Sequence, residues 1–295
     1  MTEQQVKTHE PNSESNPIAL RHLAKNEMYI MDQISEFDGR NPGLNDGEFL
    51  FDADQQGFIA AIFNSEALGT ISIANYPDNL SFIGLHIVMP HLKDYGIKEK
   101  LLSVALRIAG DRNIELNSKE EDVKMYEEAG FKPAYKITTC EGICSGEYKL
   151  PENVKSPFSY PFDALYDYYK KVFPYERKKF ISFWLNQPKS LLLGNFIDDE
   201  CKGLGLFKPC KKGYRLSPLL SDNIDGAKDI LIGLSSHFAA GTPYYLDLPE
   251  KNLDGINMAD ELGLKKSGEV IRMYKGNEHE ISLNKCYSFV NLEVG

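Results

Sequence analysis

No stretch of the 295 residues carries an apolar run near the ~18 needed to cross a bilayer. Residues 1–16 are polar and lack the apolar core of a secretory signal. A membrane partner is not expected, and a cytoplasmic protein with a disordered polar tail over residues 1–16 is. Positive charge is also scarce: 33 Lys and Arg stand against 43 Asp and Glu, for a net charge of −10. Neutralising phosphates takes a basic face, so nucleic acid is not an expected partner either. An acidic surface suits cationic small molecules or basic peptide tails instead. Cysteine is sparse and odd in number, at Cys140, Cys144, Cys201, Cys210 and Cys286, which excludes a disulfide framework. Cys140 and Cys144 have the spacing of half a metal site. No second Cys or His pair at ligand spacing follows, so unpaired thiols and no metal are expected.

What is present is an ordinary globular composition, 42% hydrophobic and 26% charged, with enough length for two domains that each bury a core. Ile18 to Leu23 reads as a short strand, and Asn26 is placed to cap a helix with apolar Met28, Met31 and Ile34. A turn rich in Gly, Asn, Pro and Asp, from Asp38 to Gly47, ends that helix. Three strand-like segments follow, Gly57 to Phe63, Leu68 to Tyr76 and Ser81 to Met89, as an antiparallel meander. From Gly96 the period turns helical through Ile97, Leu101, Leu102, Ala105 and Ile108. A strand at Ile114 to Leu116, a helix from Glu120 to Ala129 stopped by Gly130, and a strand from Phe131 to Thr139 close the half.

Pro151, Pro157 and Pro161 mark a linker over residues 151–161 between segments 17–150 and 162–295. Two aromatic-rich helices, Phe162 to Phe173 and Tyr175 to Asn186, precede strands at Ser190 to Ile197, Gly203 to Lys208 and Tyr214 to Leu219. A helix from Ile224 to Ala240 then leads to the same closing order, with strand Tyr244 to Leu248, helix Asn252 to Leu262 and strand Lys265 to Tyr274. The helix-stop-strand step Tyr126-Glu-Glu-Ala-Gly130-Phe131-Lys132 is matched by Ala259-Asp-Glu-Leu-Gly263-Leu264-Lys265. The expected fold class is therefore α/β with a mixed sheet, one architecture used twice.

One stretch carries chemistry. From Ile87 through Met89-Pro90 and on to Leu102, a strand runs through a short turn directly into a helix. Such a step aims unpaired backbone N–H groups and the positive end of a helix dipole at one point. Across the run Lys93, Asp94, Tyr95, Gly96, Ile97 and Lys98, the glycine permits close approach of an anion, and the two lysines add positive charge. A pyrophosphate suits this arrangement. His86, one residue before Ile87, titrates in the right range for a base, and Asp46 and Glu48 are carboxylate candidates in the acidic turn.

That segment resembles the pyrophosphate loop of the GNAT superfamily of N-acetyltransferases. Lys93 stands at the family's Arg/Gln position, Gly96 at its first Gly, and Lys98 at its last Gly/Ala. Lys98 either crowds a phosphate or replaces the missing guanidinium. Met125-Tyr126-Glu-Glu-Ala-Gly130-Phe131 is similar to the superfamily's Tyr-Glu-x-x-Gly-Phe helix end. Leu216-Ser-Pro218, Ser221-Asp222, Asp247-Leu-Pro249, Arg272-Met-Tyr274 and Ser288-Phe-Val-Asn-Leu-Glu-Val-Gly295 resemble the tandem YitH/HolE-like branch.

The resemblance implies two consecutive acyl-CoA N-acyltransferase domains, with acetyl-CoA as cosubstrate of the first. It implies that the backbone of Ile87 and Val88 pairs with the pantetheine arm, and that Tyr126 protonates the departing thiolate. The acceptor would be the amine of a small molecule or peptide. In the second half Asp222 stands where the pyrophosphate loop belongs and Ala259 where the tyrosine belongs, so that half is expected to be a degenerate wall or partner. The competing expectation is a degenerate acyl-CoA-binding or scaffold protein. The sequence leaves oligomeric state open.

Overall fold

The architecture follows from a computed structural model that describes residues 18–52 and 54–295. The expected polar tail, residues 1–16, lies outside them. Strand β1 (Ala19–His22) leads to helices α1 (Tyr29–Phe37) and α2 (Asp46–Phe51), then the meander β2 (Phe58–Phe63), β3 (Glu66–Tyr76) and β4 (Leu80–Val88). Helix α3 (Ile97–Ala109), strand β5 (Asn113–Ser118), helix α4 (Val123–Glu128) and strand β6 (Lys132–Ile143) complete the first half. The second half runs through β7 (Val154–Lys155), α5 (Phe162–Val172), α6 (Lys178–Trp184), β8 (Leu191–Ile197), β9 (Glu200–Pro209) and β10 (Tyr214–Ser221). It closes with α7 (Ile224–Ser235), β11 (Pro243–Pro249), α8 (Leu253–Glu261), β12 (Lys265–Lys275) and β13 (Cys286–Ser288). No helix among the described residues is long and apolar enough to cross a membrane.

Two local readings change. Asn26 does not cap α1: it sits in a 3-10 turn, Lys25–Glu27, held by the Glu27 carboxylate on the Ala24 amide at 3.0 Å. The Asp38 to Gly47 turn also gives way at Asp46 to α2, a short helix hidden by turn-forming composition. Tertiary contact fixes it, because Asp46 is buried and ion-paired with Lys208 of β9.

All the strands join one sheet, and its order reveals how the halves meet: β1-β2-β3-β4-β5-β12-β6-β11-β10-β9-β8-β7, with β13 paired to β10. Each half's closing strand has left its own half. β12 lies between β5 and β6, and β6 lies between β12 and β11. Lys132 faces Tyr274 as Lys265 faces Glu141, and Pro133 faces Met273 as Lys266 faces Cys140, with Val270 opposite Ile137 at the centre. This register reads the same from either strand, so the duplicated halves are related by an approximate two-fold axis through Ile137 and Val270.

Strand alternation divides the core by face. Phe58 and Ala60 of β2 point into a central cluster with Met31, Leu50, Tyr169, Trp184, Leu206 and Phe289, shared by both halves. Ile59 and Ala61 point the other way, onto α3 and α4 through Leu101, Ala105 and Tyr126. The second half repeats this, with α7 and α8 packing a third cluster around Leu219, Ile230 and Met258.

Candidate active site

β4 and β5 are parallel neighbours only from Leu80–Ile83 against Asn113–Leu116; beyond that they diverge. A bulge turns β4 at the point of divergence. Gly84 pairs with Ser72 and Ile87 with Thr70, so Leu85 and His86 together oppose a single residue of β3. Leu85 takes φ +46°, in the left-handed region, and its carbonyl accepts from Thr70 Oγ1 at 2.8 Å. The diverging strands leave a slot, a small cavity of ≈ 30 Å³ lined by Ile83 to Val88, Lys93, Lys98, Asp122 and Tyr126 among others.

At the slot's mouth Pro90–Tyr95 form a 3-10 turn that ends at Gly96, φ +69°, the N-cap of α3. No side chain caps α3 there, and the Tyr95 side chain is exposed. A glycine is needed because a β-carbon is disfavoured at that φ. The sequence-predicted run Lys93, Asp94, Tyr95, Gly96, Ile97 and Lys98 is thus gathered at one helix N-terminus beside Ile87 and Val88. Both lysines already hold carboxylates from across the slot, Lys98 on Asp122 at 2.5 Å and Lys93 on Glu121 at 2.9 Å. The Lys93 pair is solvent-exposed and weak. The Lys98 pair is mostly covered and is the stronger tie.

Inside the slot His86 and Tyr126 meet. His86 Nε2 lies 2.9 Å from the Lys98 carbonyl, and Nδ1 lies 2.7 Å from the Tyr126 hydroxyl. A carbonyl only accepts, so Nε2 carries the hydrogen, and in a neutral ring Nδ1 accepts from Tyr126. The ring is neutral because burial, then the Lys98 and Arg40 charges, push its pKa from 6.5 down to about 3. His86 is therefore a hydrogen-bond anchor for Tyr126 and a poor proton acceptor at neutral pH. Tyr126 is buried, and burial raises its pKa well above the usual tyrosine value. Glu48 is not part of this cluster: it faces solvent on α2 and pairs with Lys25 at 3.4 Å.

A larger cleft of ≈ 350 Å³ opens on the α1 and α2 side, between the halves. Met31, Leu50, Leu85, Tyr245 and Val270 supply apolar walls, and Lys208, Arg215 and Asp247 come from the second half. Asp46 lines it but is committed to Lys208, whose ammonium also sits 4.2 Å above the Trp184 ring. Among the described residues Asp32 has no ion-pair partner; burial, then repulsion from Asp46 and Glu36, raise its carboxyl from 3.8 to about 6. Asp38, Arg40, Leu85, Lys119 and Glu293 line both the cleft and the slot. Burial pushes the Asp38 carboxyl up, but Arg40 and Lys119 outweigh it and hold it below the usual range. Asp32 and Arg40 carry no sequence motif and escape a reading by pattern, and Glu293 stands inside the closing motif Ser288–Gly295 with nothing in its spacing to mark a site role.

The second half has the same divergence and fills it. β10 and β11 pair only at Tyr214–Leu216 with Tyr244–Leu246, and β10 bulges at Ser217–Pro218 where β4 bulges at Leu85–His86. β13 enters the gap: Leu219 pairs with Ser288 and Leu220 with Cys286. Ser288 Oγ donates to the Leu216 carbonyl at 2.7 Å and accepts the Asp247 amide at 2.9 Å, bridging the two diverged strands. The Phe289 amide donates to the Asp247 carbonyl, and Asn252 Nδ2 to the Cys286 carbonyl. The helix that follows is closed too, with the Asn223 side chain capping α7 through the Gly226 amide at 2.8 Å.

Comparison with known proteins agrees with this architecture. Residues 165–288 match the family described as acetyltransferase (GNAT) domain, so the match falls on the second half. The chain is 26% identical over 254 residues to the holothin acyltransferase of Pseudoalteromonas sp. (strain SANK 73390), covering 86% of each. A Pyrococcus horikoshii structure assigned to the acetyltransferases superposes with a TM-score of 0.80 at 20% identity, covering 98% of this chain and 99% of that one. A tandem GNAT protein from the clavulanic acid biosynthesis pathway gives 0.60 at 12% identity, covering 89% and 100%. The twice-used fold, the family match over residues 165–288 and the acyltransferase relative together make this chain similar to the tandem-domain acyltransferases of the GNAT superfamily.

Proposed function

We propose that the chain transfers an acetyl group from acetyl-CoA to the primary amine of a small molecule or peptide, with the chemistry in the half formed by residues 17–150. The observation that carries this reading is the contrast between slots. Among the described residues the first has no strand in it and an uncapped helix N-terminus at its mouth, while the second holds β13. The free β4 edge at Ile87 and Val88 is available to the pantetheine amides, and the amides around Gly96 to a pyrophosphate. Asp122 and Glu121 would then release Lys98 and Lys93 to the phosphates. In that role the Lys98 ammonium compensates for the family residues that are missing.

The chemistry asks the amine nitrogen to bond the thioester carbon, the carbon–sulfur bond to break and the thiolate to gain a proton. Tyr126 is the proposed proton source. Its high pKa keeps the proton in place until an anion forms beside it, and His86 holds the hydroxyl in position. The cleft between the halves is the proposed acceptor site, of a size for a compact amine. Holothin, on which the Pseudoalteromonas relative is named to act, is an acceptor to try first.

The rival, an acyl-CoA-binding scaffold without turnover, draws support from the Lys98–Asp122 tie across a narrow slot. Calorimetry with acetyl-CoA, then thiol release with holothin and simple amines, separates the two readings. Turnover that falls about a hundredfold in Tyr126→Phe, with acetyl-CoA affinity within about twofold, supports the enzyme. Binding with no thiol release supports the scaffold.

A further inference from the structure

The last residues of the chain do more than fill the second slot. After Ser288 the tail crosses the central core and lies along the first slot. Asn117 Nδ2 donates to the Leu292 carbonyl at 2.8 Å, and the Tyr76 hydroxyl to the Val294 carbonyl at 2.7 Å. A β-carbon on Gly84 would collide with the Glu293 carbonyl, so the glycine lets the tail lie flush on β4 just before its bulge. The strap is thus anchored in one half and delivers its side chains to the other.

Glu293 is the charged side chain it delivers. One carboxylate oxygen accepts the Leu85 amide at 2.7 Å, the N–H at the turning point of the bulge. The other pairs with Arg40, and the side chain keeps 15% of its surface open. Two carboxylates line both slot and cleft, Asp38 and Glu293. Asp38 has one oxygen on Lys119 and the other on Arg40. Glu293 shares Arg40 and has no other cation among the described residues. A carboxylate has about four lone-pair positions, which leaves Glu293 free acceptor capacity where the cleft meets β4.

We propose that Glu293, carried across from the second half by the C-terminal strap, is the carboxylate that receives the acceptor's amine at the first slot. The proposal rests on the acetyl-transfer reading above and adds the residue that recognises the nucleophile. The neutral amine hydrogen-bonds Glu293 as it enters from the cleft. As its nitrogen bonds the thioester carbon, the nitrogen gives one proton to Glu293, and the departing sulfur takes one from Tyr126. Solvent later returns the proton from Glu293 to the tyrosinate, so no proton is gained or lost overall.

The test uses the full chain with Glu293→Gln, which keeps an oxygen for the Leu85 amide and the packing of the strap. Acetyl-CoA is the donor, and holothin, aniline, phenethylamine and spermidine are the acceptors. We expect kcat/KM for the acceptor to fall at least about thirtyfold and acetyl-CoA affinity to stay within about twofold. Turnover within about threefold of wild type, or acetyl-CoA affinity lost in step with turnover, would overturn the proposal, because the strap would then be structural only. If Glu293→Gln does not fold, Glu293→Asp carries the test on the same readouts. It withdraws the charge by one methylene, so a selective loss toward acceptor supports the role and parity with wild type overturns it. A wild-type chain that neither binds acetyl-CoA nor acetylates any acceptor removes the function reading and this proposal together. An active wild type with an unaffected Glu293→Gln removes this proposal alone.

Discussion

The first and second slots are the same structural solution with opposite outcomes. Both arise where two parallel strands diverge after a bulge in the inner strand, at Leu85–His86 in one half and Ser217–Pro218 in the other. In the second half the chain's own strand satisfies the exposed edges, with Ser288 bridging Leu216 and Asp247. In the first, no strand among the described residues fills the gap past Ile83, and polar side chains gather there instead. Diverged strands leave backbone groups that need partners, so a duplicated fold can close a slot with protein or keep it for a ligand. The helix termini follow the same division, capped by Asn223 in one half and left to Gly96 in the other.

The largest test of that contrast is acid stability. His86 has Pro218 as its counterpart, so the first slot alone carries a buried imidazole at this point. Its folded pKa of about 3 lies below the unfolded 6.5. The stabilisation is therefore fully present above pH 6.5 and is lost as pH falls toward 3. Between pH 7 and pH 4 it amounts to about 3 kcal/mol. Denaturant melts across that range should show the loss in wild type and a flatter profile in His86→Phe. Equal profiles would mean that the imidazole is solvated.

A medium effect separates the helix termini. Gly96→Val puts a β-branched residue at φ +69° and should weaken acetyl-CoA binding about tenfold or more. Asn223→Val removes only a cap, costing about 1 kcal/mol of stability with acetyl-CoA affinity unchanged. Calorimetry on both variants decides, and a weakened isotherm for Asn223→Val would reopen the second half as a binding site.

The smallest effect concerns the cleft. Asp32 has a folded pKa of about 6 against 3.8 unfolded. The folded state therefore prefers the protonated form, and a cost builds as pH rises from about 4 to 6 and is full above that. After discounting for partial exposure, Asp32→Asn should stabilise the chain by about 1 kcal/mol at pH 7 and by almost nothing at pH 4. Thermal melts at the two pH values measure it.

Much of this was legible in the residues. The period of Ile97, Leu101, Leu102 and Ala105 gave α3, and the matched steps around Gly130 and Gly263 gave the duplication. The strand-turn-helix through Pro90 and Gly96 located the slot. What escaped was every feature set by contact at long range. Asp46 reads as a turn residue until Lys208 arrives from β9 to fix α2. Glu48 reads as a site carboxylate until α2 turns it to solvent. Ser288 to Gly295 read as a closing motif, with nothing in their spacing to say that they bridge two slots.

By itself the sequence determined most of the elements, their order and their repetition, α2, β7 and β13 excepted, because hydrophobic period, glycine stops and helix-terminal chemistry are local properties of a few adjacent residues. Which strand neighbours which, and which slot stays open, was decided only in three dimensions. β12 is the same kind of strand whether it returns to its own half or crosses to β5. The choice depends on pairing partners more than a hundred residues away, as in Met273 with Leu116, and on the shared central core that forms once the halves lock together.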